Sequence, residues 1–149
     1  LSKSVRAPHR DLRHYVLFID DDFFLNHEQL DEFLSKIDHD AEMTTYERRT
    51  FTTGYLMDNA RPKRFFNDPF YISHADYPYD RYPSYLSTGC LLMTRYSAHL
   101  FYLSSRYTRL FPFDDVYLGL LAYSMSIPFI ANNDRFVPSE SSMRRKESR

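Results

Sequence analysis

Apolar positions near the start of the chain predict a strand followed by a helix. The run YVLFI, residues 15–19, is continuously apolar and flanked by charge, which favours a strand buried on both faces. After it, apolar positions recur at the three- and four-residue spacing of a helix face. They are Leu30, Phe33, Leu34 and Ile37. Asn26 is the expected N-cap, with Gln29 three residues on, and a strand, turn and helix in this order indicate an α/β layered domain.

The middle of the chain is predicted to alternate strands with loops. Residues 51–57 form a second strand candidate, and residues 58–69, with two prolines and several charges, are typical of a loop. The stretch YPYDRYPSYLSTG, residues 77–89, holds more tyrosines than a core strand needs, and its prolines favour an extended or turned chain. We expect it to be a surface loop that lines a cleft. Residues 90–94 are predicted to form a short buried strand.

Two further helices are predicted in the last third of the chain. Residues 97–107 form one helix candidate. Its apolar members are Ala98, Leu100 and Phe101. Asp114 is expected to be the N-cap of the other helix, which runs over residues 115–125. The inward-facing stripe of that helix is predicted to consist of Val116, Leu120 and Tyr123.

Composition and charge exclude several classes of protein. The 149 residues, 43% of them hydrophobic, suffice for the core of one domain. Lys and Arg number 19 against 20 Asp and Glu, so the net charge of -1 gives no general attraction to nucleic acid or anionic lipid. Cys90 is the only cysteine, which excludes an internal disulfide and a cysteine zinc cluster, and the histidine spacing matches no zinc motif. No apolar run reaches the length of a membrane span.

Three consecutive aspartates, Asp20, Asp21 and Asp22, follow the first predicted strand. Adjacent carboxylates repel one another, and a hard divalent cation such as Mn²⁺ or Mg²⁺, which prefers oxygen ligands, would relieve that repulsion. A solvated turn in which one aspartate caps the next helix is an equally good interpretation of the spacing alone. The triplet therefore indicates either a metal site or an ordinary turn.

A second acidic pair lies in the stretch FPFDDVYLG, residues 111–119. Asp115 falls in the first helical turn beside aromatic and apolar residues, where a carboxylate is held in one direction and can serve as a general base. The alternative is that Asp114 and Asp115 only complement the helix dipole. On the residues of this stretch alone, the dipole interpretation is favoured.

Three stretches in order and spacing carry a resemblance: DDDFFLN, YPYDRYPSYLSTG and LFPFDDVYLGLL. They resemble the successive motifs of the β-1,3-glycosyltransferases of the galactosyltransferase family, relatives of Fringe. FDDVYLG followed by NNDRF is similar in particular to the Brainiac-like branch, which transfers galactose or N-acetylhexosamine onto glycan or glycolipid acceptors. The resemblance implies an α/β, GT-A-like layered domain, incomplete because the N-terminal nucleotide-binding half is missing.

The resemblance also implies roles for individual residues. Asp20 to Asp22 match the DxD motif, so Asp22 would ligate Mn²⁺ (or Mg²⁺) on the pyrophosphate of a UDP-sugar, and Asp20 and Asp21 would contact the nucleotide-sugar. Asp115 matches the base that removes the proton from the acceptor hydroxyl as the anomeric carbon inverts. The residues that match the acceptor or sugar cleft are Tyr82, Pro83, Tyr85, Ser87, Gly89 and Asp114.

The chain departs from the family pattern at several positions. The family usually has a cysteine where Leu86 stands and a glycine cluster where Thr88, Gly89 and Cys90 stand, so the acceptor cleft is expected to differ. Members also carry a metal-binding histidine after the catalytic aspartate, whereas no histidine follows His99. We therefore expect either a C-terminal fragment or a diverged paralogue that has lost uridine and metal contacts.

The sequence thus predicts an inverting, metal-dependent β-1,3-hexosyltransferase, with a non-catalytic glycosyltransferase-like domain or inactive fragment, for interaction or carbohydrate binding, as the alternative. The expected partners are a UDP-sugar donor and a glycan or glycolipid acceptor, and no nucleic acid. The expected location is the lumenal side of the Golgi membrane, with a membrane anchor upstream of this chain. We expect an N-terminal segment over residues 1–14, a partial glycosyltransferase domain over 15–136 and a disordered tail over 137–149.

Overall fold

The computed structural model describes residues 14–136 of the chain. The predicted tail and all but the last residue of the predicted N-terminal segment lie outside the described residues. The elements are, in order, β1 (Tyr15–Ile19), α1 (His27–His39), α2 (Thr45–Arg49), β2 (Thr52–Met57), β3 (Tyr85–Thr94), α3 (Arg95–Ser105), α4 (Asp114–Met125) and β4 (Ile130–Ala131). No helix among residues 14–136 combines the length and the apolar character needed to cross a membrane.

The longest strand, β3, lies inside a four-stranded mixed sheet. The strand order is β1-β3-β2-β4. β3 pairs antiparallel with β1 on one side and with β2 on the other, and β4 extends the sheet by pairing parallel with β2. Eight of the ten residues of β3 are buried, so this strand is the axis around which the other elements are arranged.

Successive side chains of β3 point to opposite faces of the sheet, and each face carries its own hydrophobic core. Cys90 and Leu92 pack with Phe33 and Leu34 of α1 on one face. Leu91 and Met93 pack on the other face, with Phe101 of α3 and with Leu121 and Ala122 of α4. The protein is therefore a layered α/β structure with helices on both faces of the sheet.

The first predicted helix is confirmed, including its N-cap. The Asn26 side chain accepts a hydrogen bond of 3.1 Å from the backbone N–H of Gln29. Phe33 and Leu34 are buried, as the spacing predicts. The predicted strand at residues 51–57 is confirmed as β2, which begins one residue later, and the helix predicted at 97–107 begins and ends two residues earlier as α3.

β1 is a strand as predicted, but the prediction that it is buried on both faces is wrong. Within residues 14–136, β1 pairs only with β3 and lies at the end of the strand order. The Phe18 side chain is 49% exposed and that of Ile19 is 38% exposed, because no described element covers this end of the strand.

The prediction of a surface loop over residues 77–89 is wrong for its last five residues. Tyr85, Leu86 and Ser87 are buried in β3, which pairs with β2 through Leu56 opposite Leu86. The strand predicted at residues 90–94 is accordingly only the second half of β3. This segment is a strand because β2 supplies its backbone hydrogen-bond partners. The tyrosines and prolines of the preceding residues give no sequence signal of that pairing.

The start and the buried face of α4 also differ from the prediction. Phe113, which makes no side-chain capping bond, is the N-cap, and Asp114 is the first helical residue. The predicted inward stripe fails at Tyr123, which is 78% exposed. The buried residues of α4 are Val116, Gly119, Leu121 and Ala122. The face of α4 that contains Gly119 packs against β3, because only a glycine lets the helix backbone come this close to the strand.

We predict that Gly119→Ala destabilises the protein. A Cβ atom at this position would lie 2.7 Å from the Tyr85 Cβ atom and 3.0 Å from the Ser84 carbonyl oxygen, so α4 must move. Overpacking of this kind costs about 1–3 kcal/mol. This outweighs the gain in helix propensity of about 1 kcal/mol.

Urea unfolding of the two proteins measures the difference in free energy. Ser124→Ala is the matched control, because Ser124 is an exposed residue of the same helix and its replacement by alanine should leave stability unchanged or slightly raised. A Gly119→Ala protein at least as stable as the wild type would contradict the close approach of α4 to β3.

Candidate active site

Two acidic segments that are distant in sequence meet at neighbouring residues of β3. The backbone N–H of Asp20 donates a hydrogen bond of 2.8 Å to the carbonyl oxygen of Gly89. The Thr88 hydroxyl donates one of 3.2 Å to Oδ2 of Asp114. The two adjacent residues of β3 thus hold the acidic turn after β1 on one side and the first turn of α4 on the other.

The acidic turn follows directly from the end of β1. Its backbone is closed by a hydrogen bond of 3.2 Å from the N–H of Phe23 to the carbonyl of Asp20, and α1 begins after Asn26. Asp20, Asp21 and Asp22 are all exposed. Exposed carboxylate oxygens suit a hard divalent cation. Among residues 14–136, no three histidine, cysteine, aspartate or glutamate side chains group so as to hold a metal ion, so a cation at this turn needs further oxygen atoms from its ligand.

Gly89 leaves room for the acidic turn to lie against β3. A Cβ atom here would be 2.9 Å from Cε2 of the Phe23 ring and 3.4 Å from Oδ2 of Asp20. Any larger residue would displace the ring or the carboxylate. The absence of a side chain at Gly89 is therefore what brings Asp20 next to the strand.

Cys90, the next residue of β3, remains a thiol at neutral pH. Burial raises the pKa of Cys90 to about 11, and the negative charge of Asp20 adds to the rise. A protonated, buried thiol is a poor nucleophile. The chemistry of this region accordingly depends on its carboxylates.

Asp115 is half-buried in the first turn of α4, among aromatic residues. One of its carboxylate oxygens accepts a hydrogen bond of 2.7 Å from the N–H of Val116. Burial raises the pKa of Tyr85, and the negative charge of Asp115 raises it further. Asp115 thus lies within electrostatic reach of Tyr85, which is protonated at neutral pH.

Tyr82 has a buried hydroxyl group with no hydrogen-bond partner among residues 14–136. Burial raises the pKa of Tyr82 to about 12, and the charge of Asp115 contributes to the rise. Its ring packs against Tyr77 at 5.0 Å, Phe111 at 5.9 Å and Tyr85 at 6.4 Å between ring centroids. We refer to Tyr77, Tyr79, Tyr82, Tyr85, Phe111 and Phe113 as the aromatic cluster. The Tyr82 hydroxyl is therefore a buried donor without a partner in this part of the chain, and the charge of Asp115 acts on it.

The structure brings six of the ten predicted site residues together around β3, namely Asp20, Tyr82, Tyr85, Gly89, Asp114 and Asp115. Ser87 is buried within β3. Pro83 lines a pocket of about 280 Å³ together with Ser84 and residues from the C-terminal part of α4, and no aspartate lines this pocket. Asp21 and Asp22 are exposed in the acidic turn, whose backbone hydrogen bond to β3 comes from Asp20.

Two residues that organise this region, Thr88 and Arg64, carry no sequence signal for that role. Thr88 links β3 to Asp114. The Arg64 guanidinium donates three hydrogen bonds of 2.8 Å, to the carbonyl oxygens of Ile72, Tyr77 and Tyr79, and so holds the chain that enters the aromatic cluster. No sequence signal distinguishes Arg64 from other loop arginines, because its three partners are backbone atoms.

Comparison with known proteins identifies the family of the chain. A family model described as Galactosyltransferase matches residues 7–133. Beta-1,3-galactosyltransferase brn of Drosophila melanogaster is 28% identical over 113 residues, which cover 76% of this chain and 33% of that protein. Beta-1,3-galactosyltransferase bre-5 of Caenorhabditis elegans is 31% identical over 123 residues, which cover 83% of this chain and 35% of that protein. Beta-1,3-galactosyltransferase 1 of Mus musculus is 33% identical over 116 residues, which cover 77% of this chain and 33% of that protein.

The chain spans about a third of the length of these curated relatives. The names of all three relatives describe glycosyltransferases. The matched region contains the acidic turn, β3 with the residues that hold both acidic segments, and the start of α4. Because the family model covers most of the chain, the protein belongs to the galactosyltransferase family.

Proposed function

We propose that this chain forms part of an inverting, metal-dependent β-1,3-hexosyltransferase of GT-A-like fold, which moves galactose or N-acetylhexosamine from a UDP-sugar to a glycan or glycolipid. The observation that carries the proposal is the meeting of the acidic turn and the start of α4 at Thr88 and Gly89. One acidic segment suits a metal-bound diphosphate, and the other suits an acceptor hydroxyl. By the same proposal the enzyme acts on the lumenal side of the Golgi membrane.

The donor end of the site consists of the acidic turn. Asp22 would hold Mn²⁺ (or Mg²⁺), with Asp20 and Asp21 beside the nucleotide-sugar. A cation bound there neutralises negative charge on the departing diphosphate. The contribution of the chain is to fix the turn, through the bond from Asp20 to Gly89 and the contact of Phe23 with that glycine.

The acceptor end consists of Asp115 and the aromatic cluster. Asp115 takes the proton from the acceptor hydroxyl while that oxygen bonds to the anomeric carbon and the bond from this carbon to UDP breaks on the opposite face. The bonding electrons leave with UDP, and the configuration inverts. Tyrosine rings offer flat apolar faces to a sugar. A sugar that enters between these rings uncovers the buried Tyr82 hydroxyl, which has no hydrogen-bond partner among residues 14–136.

The second candidate is a non-catalytic glycosyltransferase-like domain with an interaction or carbohydrate-binding role. The observation that favours it is that, among residues 14–136, no three histidine, cysteine, aspartate or glutamate side chains group so as to hold a metal ion. A domain without a complete metal site can still present an aromatic cluster to a carbohydrate. The two candidates differ in whether glycosyl transfer accompanies binding.

The experiment that tests both candidates combines transfer with binding. The purified chain is incubated with UDP-galactose, UDP-N-acetylglucosamine or UDP-N-acetylgalactosamine and with glycan acceptors, in MnCl₂ or in EDTA, and products are detected by mass spectrometry. Mn²⁺-dependent transfer supports the enzyme. Mn²⁺-dependent UDP binding or glycan binding without transfer supports the non-catalytic domain, and the absence of all binding contradicts both.

Asp22→Ala is expected to weaken Mn²⁺-dependent UDP binding by roughly tenfold or more, because a cation loses one of few protein oxygen ligands. Isothermal titration calorimetry with UDP in MnCl₂ measures the effect. Glu42→Gln is the matched control, since Glu42 is an exposed carboxylate beyond the other end of α1. Equal UDP affinity in the Asp22→Ala and Glu42→Gln proteins would argue against a metal site at the acidic turn.

Asp115→Asn is expected to lower the rate of transfer by roughly a hundredfold or more while leaving Mn²⁺ and UDP binding nearly intact, since the amide cannot accept the acceptor proton. A role in the helix dipole alone predicts a loss of about 0.3–1 kcal/mol in stability and no change in rate per folded molecule. Turnover and melting temperature are measured on the same sample. A destabilised but fully active protein would refute the catalytic role.

Tyr82→Phe is expected to raise the acceptor KM by roughly two- to tenfold, the value of one neutral hydrogen bond, without loss of stability. Stability should hold or rise because the variant removes a buried hydroxyl that has no partner in the described chain. Tyr79→Phe is the control, since Tyr79 belongs to the same cluster but is exposed. Acceptor KM values that change equally in both variants would show that the Tyr82 hydroxyl does not bind the acceptor.

A further inference from the structure

An arginine-rich pocket of about 420 Å³ lies next to the aromatic cluster and takes no part in the chemistry described above. Its lining residues are Arg61, Pro62, Arg64, His74, Asp80 and Arg81. Three guanidinium groups face one carboxylate, an excess of two positive charges in a protein whose net charge is -1. The pocket is large enough for one sugar unit.

The charges of this pocket are not neutralised by neighbouring side chains. Arg64 donates only to backbone carbonyl groups, and Arg81 donates to the Asn59 side-chain oxygen, so both bind uncharged partners. Within residues 14–136, neither these two arginines nor Arg61 or Asp80 takes part in an ion pair. Concentrated positive charge without a protein counter-charge indicates an anionic ligand.

The arginine-rich pocket adjoins the acceptor end of the candidate site. The N–H of Tyr82 donates a hydrogen bond of 2.9 Å to the carbonyl of Ala60, the residue before Arg61. Arg64 holds the carbonyl groups of two members of the aromatic cluster. The charges of Arg64 and Asp115 both act on the pKa of Tyr82, the first lowering it and the second raising it. The arginine-rich pocket therefore borders the aromatic cluster on the side of Ala60 and Arg64.

We propose that the arginine-rich pocket binds an acidic sugar, one bearing a carboxylate or a sulfate group, within the acceptor. The inference rests on the proposed function for the statement that the sugar belongs to an acceptor. Guanidinium groups suit this ligand because their planar pair of N–H donors matches two oxygens of a carboxylate or sulfate. Arg64 is held in place by its three carbonyl bonds, whereas Arg61 is exposed on the rim and free to turn toward the anion.

The test compares ligands and variants on the purified chain by ligand-observed NMR titration at constant ionic strength. The probes are galactose 6-sulfate, galactose and sodium sulfate. Galactose 6-sulfate should bind at least about fivefold more tightly than either of the other two. Arg61→Gln should weaken its binding by about tenfold, and Arg61→Glu should abolish it, because hydrogen bonds to charged groups contribute about 1.5–3 kcal/mol.

Arg106→Gln is the matched control, since Arg106 is exposed and lines no part of the pocket. Arg64 is left unchanged because its loss would free the loop that it holds. Equal binding of galactose and galactose 6-sulfate, or equal binding by the Arg61→Gln and Arg106→Gln proteins, would overturn the proposal. Sodium sulfate that binds as tightly as the sulfated sugar would overturn the assignment to a glycan.

The result can be separated from that of the transferase proposal. Mn²⁺-dependent UDP binding depends on the acidic turn and should be the same in the Arg61→Gln protein as in the wild type. A wild-type chain that binds galactose 6-sulfate through Arg61 but does not bind UDP would support the pocket and contradict the transferase. A chain that binds UDP but whose binding of galactose 6-sulfate is unchanged by Arg61→Gln would contradict the pocket and leave the transferase proposal standing.

Discussion

The position of β3 between β1 and β2 determines where every candidate functional group lies. Antiparallel pairing with β1 brings the end of that strand beside Cys90, so the aspartates that follow must turn over Gly89. On the other side, the backbone of α4 contacts β3 at Gly119. This contact positions Asp115, one helical turn before Gly119, next to the loop that carries Phe111 and Phe113. Two contacts made through glycines, which have no side chain to intervene, therefore set the separation between the two acidic segments.

Local sequence signals predict most of the helices and strands correctly. They fail where a segment's structure or exposure depends on a distant part of the chain. Apolar spacing and the N-cap at Asn26 were sufficient for α1, because a helix is stabilised by bonds within a few residues. The sequence of residues 85–89 predicts a loop, because their strand character comes from pairing with β2, a segment about thirty residues away. The exposure of Tyr123 likewise depends on which face of α4 meets β3, and only Gly119 indicates that face.

The candidate site shows the same division. The carboxylates were recognised from ordered motifs, since chemistry of this kind needs particular residue types at particular places in the chain. The residues that organise their surroundings could not be predicted in this way, because Thr88 and Arg64 act through hydrogen bonds whose acceptors are brought to them by the fold. The orphan hydroxyl of Tyr82 could not be foreseen either, since a missing partner is a property of three-dimensional packing. The motifs therefore indicate the candidate carboxylates, and the structure shows the groups that position them.

The three hydrogen bonds from Arg64 to backbone carbonyl oxygens affect which residues of this part of the protein can be replaced without loss of structure. The chain around Ile72, Tyr77 and Tyr79 has no regular secondary structure, so one internal side chain does much of what a sheet or helix would do for its backbone. Residues on the outside of that loop are not needed to hold its backbone, so their side chains can be replaced more freely. The sequence on the outside of this loop can therefore change while the sheet and the acidic turn stay as they are, provided that Arg64 is kept.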